Sequence, residues 1–185
     1  MRFDTVIFDL DGTLLYTLEG LHNSVNHALR THGLPELTLA ETRRFVGNGS
    51  RKLIERAIKG AAADFEAVHE SYCDHYTAHA AEGTRPYEGI PEMLDALKAA
   101  GIQTAVVSNK PDPRAVWEAM EKLGADKGRT LYVGDSDTDF FTAENAGIPC
   151  ALVSWGYRDL DELEGCGALA VVHSVAELAT LIEKE

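Results

Sequence analysis

Residues Val6-Ile7-Phe8-Asp9-Leu10-Asp11-Gly12-Thr13 join an apolar, β-branched run to two carboxylates, a glycine and a hydroxyl. Side chains alternate along a strand, so Asp9 and Asp11 would share one side if the strand stayed regular. Two carboxylates that close repel each other unless one is protonated or a counter-ion neutralises them. Gly12 permits a turn, and Thr13 offers a hydroxyl and an N–H to an anion. We therefore expect a buried strand that ends at a magnesium site, the alternative being an Asx-rich turn that caps the next segment.

The composition is that of an ordinary globular protein. Its 185 residues are enough to bury a core, and 45% of them are apolar and 25% charged. No apolar run approaches the length that spans a bilayer, and the N-terminus has a strand pattern rather than a basic leader, so we expect a cytoplasmic protein without a membrane partner. The cysteines Cys73, Cys150 and Cys166 have no close pairing, which argues against a disulfide framework and fits a reducing compartment.

The formal net charge of −13 bears on the partners of the chain. Nucleic acid calls for a basic face, so this charge argues against a nucleic-acid partner. A phosphate compound would also be repelled unless a metal ion and a few cationic side chains reverse the field locally. A small phosphorylated metabolite would therefore have to bind where such cations lie.

The apolar pattern beyond the first strand predicts an α/β fold. Further apolar runs alternate with segments of helical periodicity, which is typical of a doubly wound, Rossmann-like parallel sheet covered by helices on both faces. These predicted strands are 104–107, 130–133, 151–154 and 170–172.

A second pattern runs from Leu18 to Gly83, where no segment has the character of a strand. It predicts a small all-helical cap inserted after the first strand. The predicted domains are an α/β core of residues 1–15 and 84–185 and a helical cap of residues 16–83. An insertion at that point is a candidate lid over an active site.

Polar residues follow three of the predicted strands. Asp9 and Asp11 follow the first, Ser108-Asn109-Lys110 follows the next, and Gly134-Asp135-Ser136-Asp137-Thr138-Asp139 follows the third. In parallel sheets the ligand lies outside the carboxyl ends of the strands, so we expect these residues to form one site. Taken alone, the second segment is also typical of a polar turn, and the third of a helix N-cap with acids in its first turn.

The segment Asp9-Leu10-Asp11-Gly12-Thr13-Leu14 resembles the first motif of the haloacid-dehalogenase superfamily of phosphohydrolases, and the chain resembles its phosphoglycolate phosphatase group. The resemblance implies that Asp9 is the nucleophile that forms an aspartyl-phosphate. Asp11 would protonate the leaving oxygen and then act as base on water. It also implies a Mg²⁺ ion bound by the side chains of Asp9 and Asp135 and the main-chain oxygen of Asp11, with Asp139 orienting these ligands or their water molecules.

Ser108 and Asn109 resemble the second motif of the superfamily, whose hydroxyl and amide bind phosphate oxygens. Thr13 would contribute to the same phosphate site. The superfamily's third motif supplies a lysine that steadies the nucleophile and the phosphate, and Lys110 is the candidate for that role.

The interval between the motifs is short. In the family a strand and a helix separate the second motif from the lysine, whereas here Ser108-Asn109-Lys110-Pro111-Asp112-Pro113 leads directly into the next helix. The difference is about 30 residues, one βα unit, and is either a true deletion or a stretch absent from the printed sequence. Loss of the unit would expose a new sheet edge, which favours dimerisation or poor solubility, so monomer and homodimer both stay open.

The loop Gly47-Asn48-Gly49-Ser50-Arg51-Lys52 resembles the substrate-specificity loop of the group. A glycine-flanked loop that opens a helix would present the N–H of Gly49 and the guanidinium of Arg51 to a substrate carboxylate. The alternative is an interhelical turn with a solvated Arg51.

The resemblance thus implies a magnesium-dependent phosphatase that hydrolyses a small anionic phosphomonoester, with 2-phosphoglycolate as the expected substrate. A sugar-phosphate mutase, a phosphonate hydrolase and a nucleotidase of the same superfamily stay open, because the cap sets the substrate. A non-catalytic phosphate-binding variant also stays open, because the short interval displaces the lysine.

Overall fold

The computed structural model describes residues 3–108 and 112–183. The chain divides into two compact units, a core unit of Met1–Leu15 with Pro86–Glu185 and a helical unit of Tyr16–Arg85. The strands are β1 (Thr5–Phe8), β2 (Leu15–Tyr16), β3 (Arg85–Pro86), β4 (Gln103–Val106), β5 (Thr130–Gly134), β6 (Cys150–Val153) and β7 (Ala170–Val172). The helices are α1 (Leu18–Thr31), α2 (Leu39–Phe45), α3 (Gly49–Ile58), α4 (Phe65–His79), α5 (Ile90–Ala99), α6 (Arg114–Leu123), α7 (Asp137–Ala146), α8 (Leu160–Glu164) and α9 (Val175–Glu183).

The core unit contains a five-stranded parallel sheet in the order β4-β1-β5-β6-β7. This arrangement confirms the predicted doubly wound α/β fold. Phe8, the last residue of β1, pairs with Val106 of β4 and with Val133 of β5. Because this register aligns the carboxyl ends of the three strands, the residues that follow them emerge at one edge of the sheet.

Both faces of the sheet are covered by apolar side chains. On one face Phe8 and Leu131 are buried with Leu97 of α5 and Leu178 of α9. The strand residues on the other face point to α6, α7 and α8, where Tyr132 is fully buried. Continuous β-branched and aromatic runs such as Thr5–Phe8 suit strands that are buried on both sides.

The edge strand β4 differs from the central strands. Gln103, Thr104 and Val106 are exposed, and Val106 has 52% of its surface accessible. The strand is on the side of the sheet where the short interval predicts an uncovered edge.

The helical unit packs α1 to α4 around its own apolar core. Its fully buried side chains include Val25 and Leu29 of α1, Ile54 of α3 and Val68 of α4. Thr38 starts α2 with a capping box. None of the helices in residues 3–108 and 112–183 has the length and apolar character needed to cross a bilayer.

A buried asparagine holds the segment after α1. The side chain of Asn26 donates from Nδ2 to the carbonyl of Leu37 and accepts from the Leu37 N–H, both at 2.9 Å. Both residues are buried. The amide therefore satisfies a backbone donor and acceptor that would otherwise be buried without partners.

We expect Asn26→Ala to lower the free energy of unfolding by about 1–3 kcal/mol, because it leaves buried polar groups of Leu37 unsatisfied. Urea denaturation followed by circular dichroism measures the change. Asn23→Ala is the matched control, since Asn23 is exposed on the same helix and should stay within about 0.5 kcal/mol. Equal effects of the two substitutions would contradict the role of the buried amide.

Candidate active site

Three aspartates meet at the carboxyl edge of the sheet. Asp9 follows β1, Asp135 follows β5 and Asp139 lies in the first turn of α7. Each of them is less than a tenth exposed, and one carboxylate oxygen of each lies within 4.8 Å of the others. The N–H of Asp9 donates to the carbonyl of Val133 at 2.8 Å, which extends the β1–β5 pairing to the site. Within residues 3–108 and 112–183 this is the only such group of metal-ligating side chains.

Glycines allow this close packing around Asp135. A Cβ on Gly12 or on Gly156 would lie 2.3 Å from a carboxylate oxygen of Asp135, well inside van der Waals contact. Gly12 also has φ +84°, a conformation that other residues rarely adopt. The turn after β1 and the turn after β6 therefore both depend on glycine to enclose this side chain.

Backbone and hydroxyl donors orient two of the carboxylates. The N–H of Tyr157 donates to Oδ2 of Asp135 at 2.7 Å. Oδ2 of Asp139 accepts from the N–H of Asp135, and from the N–H and Oγ of Ser136. Ser136 is the N-cap of α7, and Asp139 completes its capping box. Asp139 thus starts a helix and at the same time belongs to the cluster.

The electrostatics of the cluster favour a bound cation. Burial, first, and then the charges of Asp139 and Asp9 raise the pKa of Asp135 well above its ordinary value. The Tyr157 N–H and the Arg158 guanidinium oppose this change without cancelling it. Hard carboxylate oxygens held this close are the donors that Mg²⁺ prefers. The residues present therefore fit a magnesium ion, which would relieve the repulsion among them.

Tyr132 connects the cluster with the end of β4. Its hydroxyl donates to the carbonyl of Val107 at 3.0 Å and lies 3.4 Å from Oδ1 of Asp139. Burial, together with the charges of Asp139 and Asp9, raises the pKa of Tyr132, so the phenol stays neutral. The sequence signal that could have identified this residue is a tyrosine hydroxyl within an otherwise apolar run, because a buried hydroxyl needs a hydrogen-bond partner.

A buried hydroxyl beside the first turn has no hydrogen-bond partner among the described residues. It belongs to Thr13, which is 1% exposed. The carbonyl of the same residue accepts from Nε1 of Trp155 at 3.0 Å, which fixes the position of the turn. Because an unsatisfied buried hydroxyl is costly, this Oγ1 is suited to a polar ligand such as a phosphate oxygen.

The other residues predicted for this site are placed differently. β1 ends at Phe8, so the alternation of side chains along a strand does not set the position of Asp11. Asp11 is partly buried and forms an isolated β-bridge with Leu15. The carboxylate of Asp11 is not a member of the three-aspartate cluster. Ser108 is partly buried after β4. Asn109 and Lys110 lie outside the described residues.

Gly49 and Arg51 belong to the helical unit. Gly49 opens α3 with φ +83°. The guanidinium of Arg51 makes two hydrogen bonds to the carboxylate of Glu66 and lies 4.7 Å from the centre of the Phe65 ring. Arg51 is therefore paired within its own unit, although both partners of the exposed ion pair are solvated and such pairs are weak.

Comparison with known proteins decides the family. The model of the haloacid dehalogenase-like hydrolase family matches residues 6–110, and that of the HAD-hydrolase-like family matches residues 107–178. The chain belongs to the haloacid dehalogenase-like hydrolases. This confirms the resemblance of the first motif.

Similar proteins within the family include phosphatases. Phosphoglycolate phosphatase of Agrobacterium fabrum is 35% identical over 85% of this chain and 83% of its own length. Phosphoglycolate phosphatase of Mesorhizobium japonicum is 33% identical over 97% and 95%. N-acetylmuramic acid 6-phosphate phosphatase of Pseudomonas aeruginosa is 31% identical over 100% and 96%. The family and these relatives identify the chain as a phosphatase, as predicted.

Solved structures share the fold. A protein from Lactobacillus delbrueckii superimposes with a TM-score of 0.92 at 24% identity over 100% of both chains. CbbY from Rhodobacter sphaeroides, solved with phosphate, has a TM-score of 0.79 at 23% identity over 95% of this chain and 96% of its own. At these identities the likeness concerns the fold of this haloacid dehalogenase-like hydrolase.

The relatives are longer in the interior than this member of the family. The alignment with the Pseudomonas aeruginosa phosphatase spans 220 positions and covers the full 185 residues of this chain, so about 35 positions face no residue here, the size of one βα unit. The two family models meet at residues 107–110. That is the place where motif spacing predicts the missing unit.

We expect Asp135→Asn to raise the free energy of unfolding of the metal-free phosphatase at neutral pH. A carboxyl whose pKa is raised by folding contributes stability below its unfolded pKa, about 3.9, and loses it as pH rises through the folded value. The amide carries no charge, so the advantage of the variant should be largest near neutrality and shrink toward acid. Urea unfolding in EDTA across this pH range measures it.

Asp137→Asn is the control for this experiment. Asp137 lies two residues after Asp135, in the first turn of α7, but its side chain is half exposed and it is outside the cluster. Its substitution should give no gain at neutral pH. Equal stabilisation by both variants would show that repulsion within the cluster is not the cause.

Proposed function

We propose that the chain hydrolyses phosphomonoesters of small anionic metabolites through an aspartyl-phosphate on Asp9, with Mg²⁺ as cofactor and 2-phosphoglycolate as substrate. The observation that carries the proposal is the buried cluster of Asp9, Asp135 and Asp139. The buried hydroxyl of Thr13, which lacks a partner among the described residues, supports a phosphate at the same strand end.

The proposed metal site uses the side chains of Asp9 and Asp135 and the main-chain oxygen of Asp11. Asp139, whose Oδ2 is held by Ser136, would orient these ligands or their water molecules. When bound, Mg²⁺ would neutralise the carboxylates and the phosphate and so permit attack of one anion on another.

The proposed reaction has two steps at phosphorus. A carboxylate oxygen of Asp9 forms a bond to phosphorus while the bond to the ester oxygen breaks, and Asp11 gives its proton to that leaving oxygen. Asp11 then takes a proton from water, whose oxygen attacks phosphorus and breaks the bond to Asp9. One water is consumed, and alcohol and phosphate are released. The hydroxyl of Thr13 would donate a hydrogen bond to a phosphate oxygen throughout.

Ser108, Asn109 and Lys110 complete the proposed phosphate site. Val107, which precedes Ser108, is held to Tyr132 by the bond from the phenol to its carbonyl. That bond supports a fixed position for the start of this segment. The roles of Asn109 and Lys110 rest on the family motifs, and those of Gly49 and Arg51 in substrate binding stay predictions, as does the function of residues 16–83 as a cap.

The relatives support a substrate class more strongly than a single compound. Two of those named above act on phosphoglycolate and the third on a sugar phosphate, at similar identities of 35%, 33% and 31%. Phosphoglycolate and N-acetylmuramic acid 6-phosphate both combine a phosphate with a carboxylate. A small phosphorylated acid is therefore the proposed class, with 2-phosphoglycolate as its first candidate.

Asp9→Asn should reduce phosphate release from 2-phosphoglycolate by on the order of 10³-fold or more, because the amide is a poor nucleophile. Release of inorganic phosphate in the presence of Mg²⁺ measures it. Asp95→Asn is the control, since Asp95 is exposed on α5 and should leave the rate unchanged. An unchanged rate for Asp9→Asn would refute the mechanism. If the unmodified protein binds Mg²⁺ and phosphate but releases no phosphate from the substrate, it is a non-catalytic phosphate-binding protein.

Mg²⁺ should raise the melting temperature of the unmodified protein. A ligand that binds only the folded state at 100 times its dissociation constant contributes about 2.7 kcal/mol. Asp135→Asn should lose most of this shift, whereas Asp137→Asn should keep it, and differential scanning fluorimetry compares the three proteins. A shift that survives Asp135→Asn would place the ion elsewhere.

A further inference from the structure

The outer side of β4 carries backbone groups that no described element pairs with. β4 is the first strand of the sheet order and pairs with β1 alone among the described strands. Gln103 and Val107 donate their N–H groups to the carbonyls of Asp4 and Phe8 at 2.8 Å. Because alternate residues of a parallel strand bond to the same neighbour, Thr104 and Val106 direct their N–H and C=O groups to the open side.

The side chains of this edge do not protect it. Natural edge strands are commonly blocked by charged residues, proline or bulges. β4 reads Gln103-Thr104-Ala105-Val106 and contains none of these. Val106 is 52% exposed on the face of the sheet that carries Phe8, its partner in register.

A groove of about 410 Å³ runs along the other face of this edge. Its floor is formed by Ala105 and Val107, and its wall by Ala115, Ala119 and Leu123 of α6. The small side chains of Ala115 and Ala119 lie one helical turn apart and leave room for a second helix to approach. Strand edge and groove together form a continuous open surface, which we call the β4 edge.

The short interior of the chain explains why the β4 edge is open. About 35 aligned positions of a relative have no counterpart here, which is the size of one strand and helix. The family models meet at residues 107–110, directly after β4. Loss of a unit at this place removes what would follow β4.

We propose that the β4 edge is covered by a second copy of this chain, with the two β4 strands pairing antiparallel about a two-fold axis. An isologous interface requires a surface that complements itself. An open strand that lies side by side with an antiparallel copy of itself meets this condition through its backbone hydrogen bonds. The result is one continuous sheet through both copies. This pairing is independent of the proposed phosphatase mechanism.

The distribution of charge favours association of two copies at this surface rather than at other surfaces of the molecule. The whole chain carries −13, so two copies repel each other over most of their surface. The groove carries no net charge, because its charged residues are Glu118 and Lys122, which lie one turn apart on α6. Antiparallel approach of two α6 helices brings Glu118 of each copy toward Lys122 of the other.

Sedimentation equilibrium of the full chain tests the proposal. The unmodified protein should have twice the mass of the 20.1 kDa chain, and Val106→Lys should convert it to monomer. Leu160→Lys is the matched control, because Leu160 is 42% exposed on α8 at the other end of the sheet. This control should remain a dimer. A monomeric unmodified protein, open-ended association, or a dimer that survives Val106→Lys would overturn the proposal.

Charge reversal on α6 tests the orientation without touching the strand. Glu118→Lys should weaken the dimer severalfold, and the double variant Glu118→Lys with Lys122→Glu should restore it, because only the double variant recreates opposite charges across a two-fold axis. Both residues are exposed, so folding should be unaffected.

Hydrogen exchange tests the strand pairing directly. In the unmodified protein the backbone amide hydrogens of Thr104 and Val106 should exchange with solvent more slowly as the protein concentration rises. Exchange independent of concentration would overturn the strand pairing.

Discussion

The repulsion among three buried carboxylates is the constraint on which the core unit depends. Asp9, Asp135 and Asp139 are held within 4.8 Å of one another where water cannot screen them. Two kinds of contact hold them there in the chain itself, the backbone N–H groups at Asp135 and Asp139 and the tight glycine turns around Asp135. These contacts orient the carboxylates without neutralising them. A divalent cation would neutralise the excess negative charge that is left.

The register of the central strands delivers these groups to one place. Pairing of Phe8 with Val133 sets Asp9 beside the end of β5, and the Asp9 N–H continues the ladder by one bond. Tyr132 then ties the carbonyl after β4 to the neighbourhood of Asp139. The acidic residues and the start of the segment after β4, which are far apart in sequence, are thus held in place by buried, apolar strands.

Sequence patterns were sufficient for the fold and for the convergence of Asp9 and Asp135 at one edge of the sheet, because both leave local signals. Apolar runs of strand length predict the parallel sheet, and Asp9 and Asp135 directly follow such runs. Tyr157 and Gly156 could not be predicted as part of the site, since they act through a backbone N–H and through the absence of a side chain. Glu66 as the partner of Arg51 was missed for a similar reason, because fifteen residues and a change of helix separate them.

The shortened interior and the intact acidic cluster are compatible because they involve different strands. β1 and β5 are neighbours within the sheet and carry Asp9 and Asp135, whereas β4 lies outside β1 at the edge. Removing a unit beyond β4 takes hydrogen-bond partners from the outer side of β4 and leaves the β1–β5 pairing unchanged. The loss therefore bears on the proposed association through the β4 edge and on the segment after β4 that is proposed to bind phosphate. The positions of Asp9 and Asp135 are set by strands that the loss does not reach.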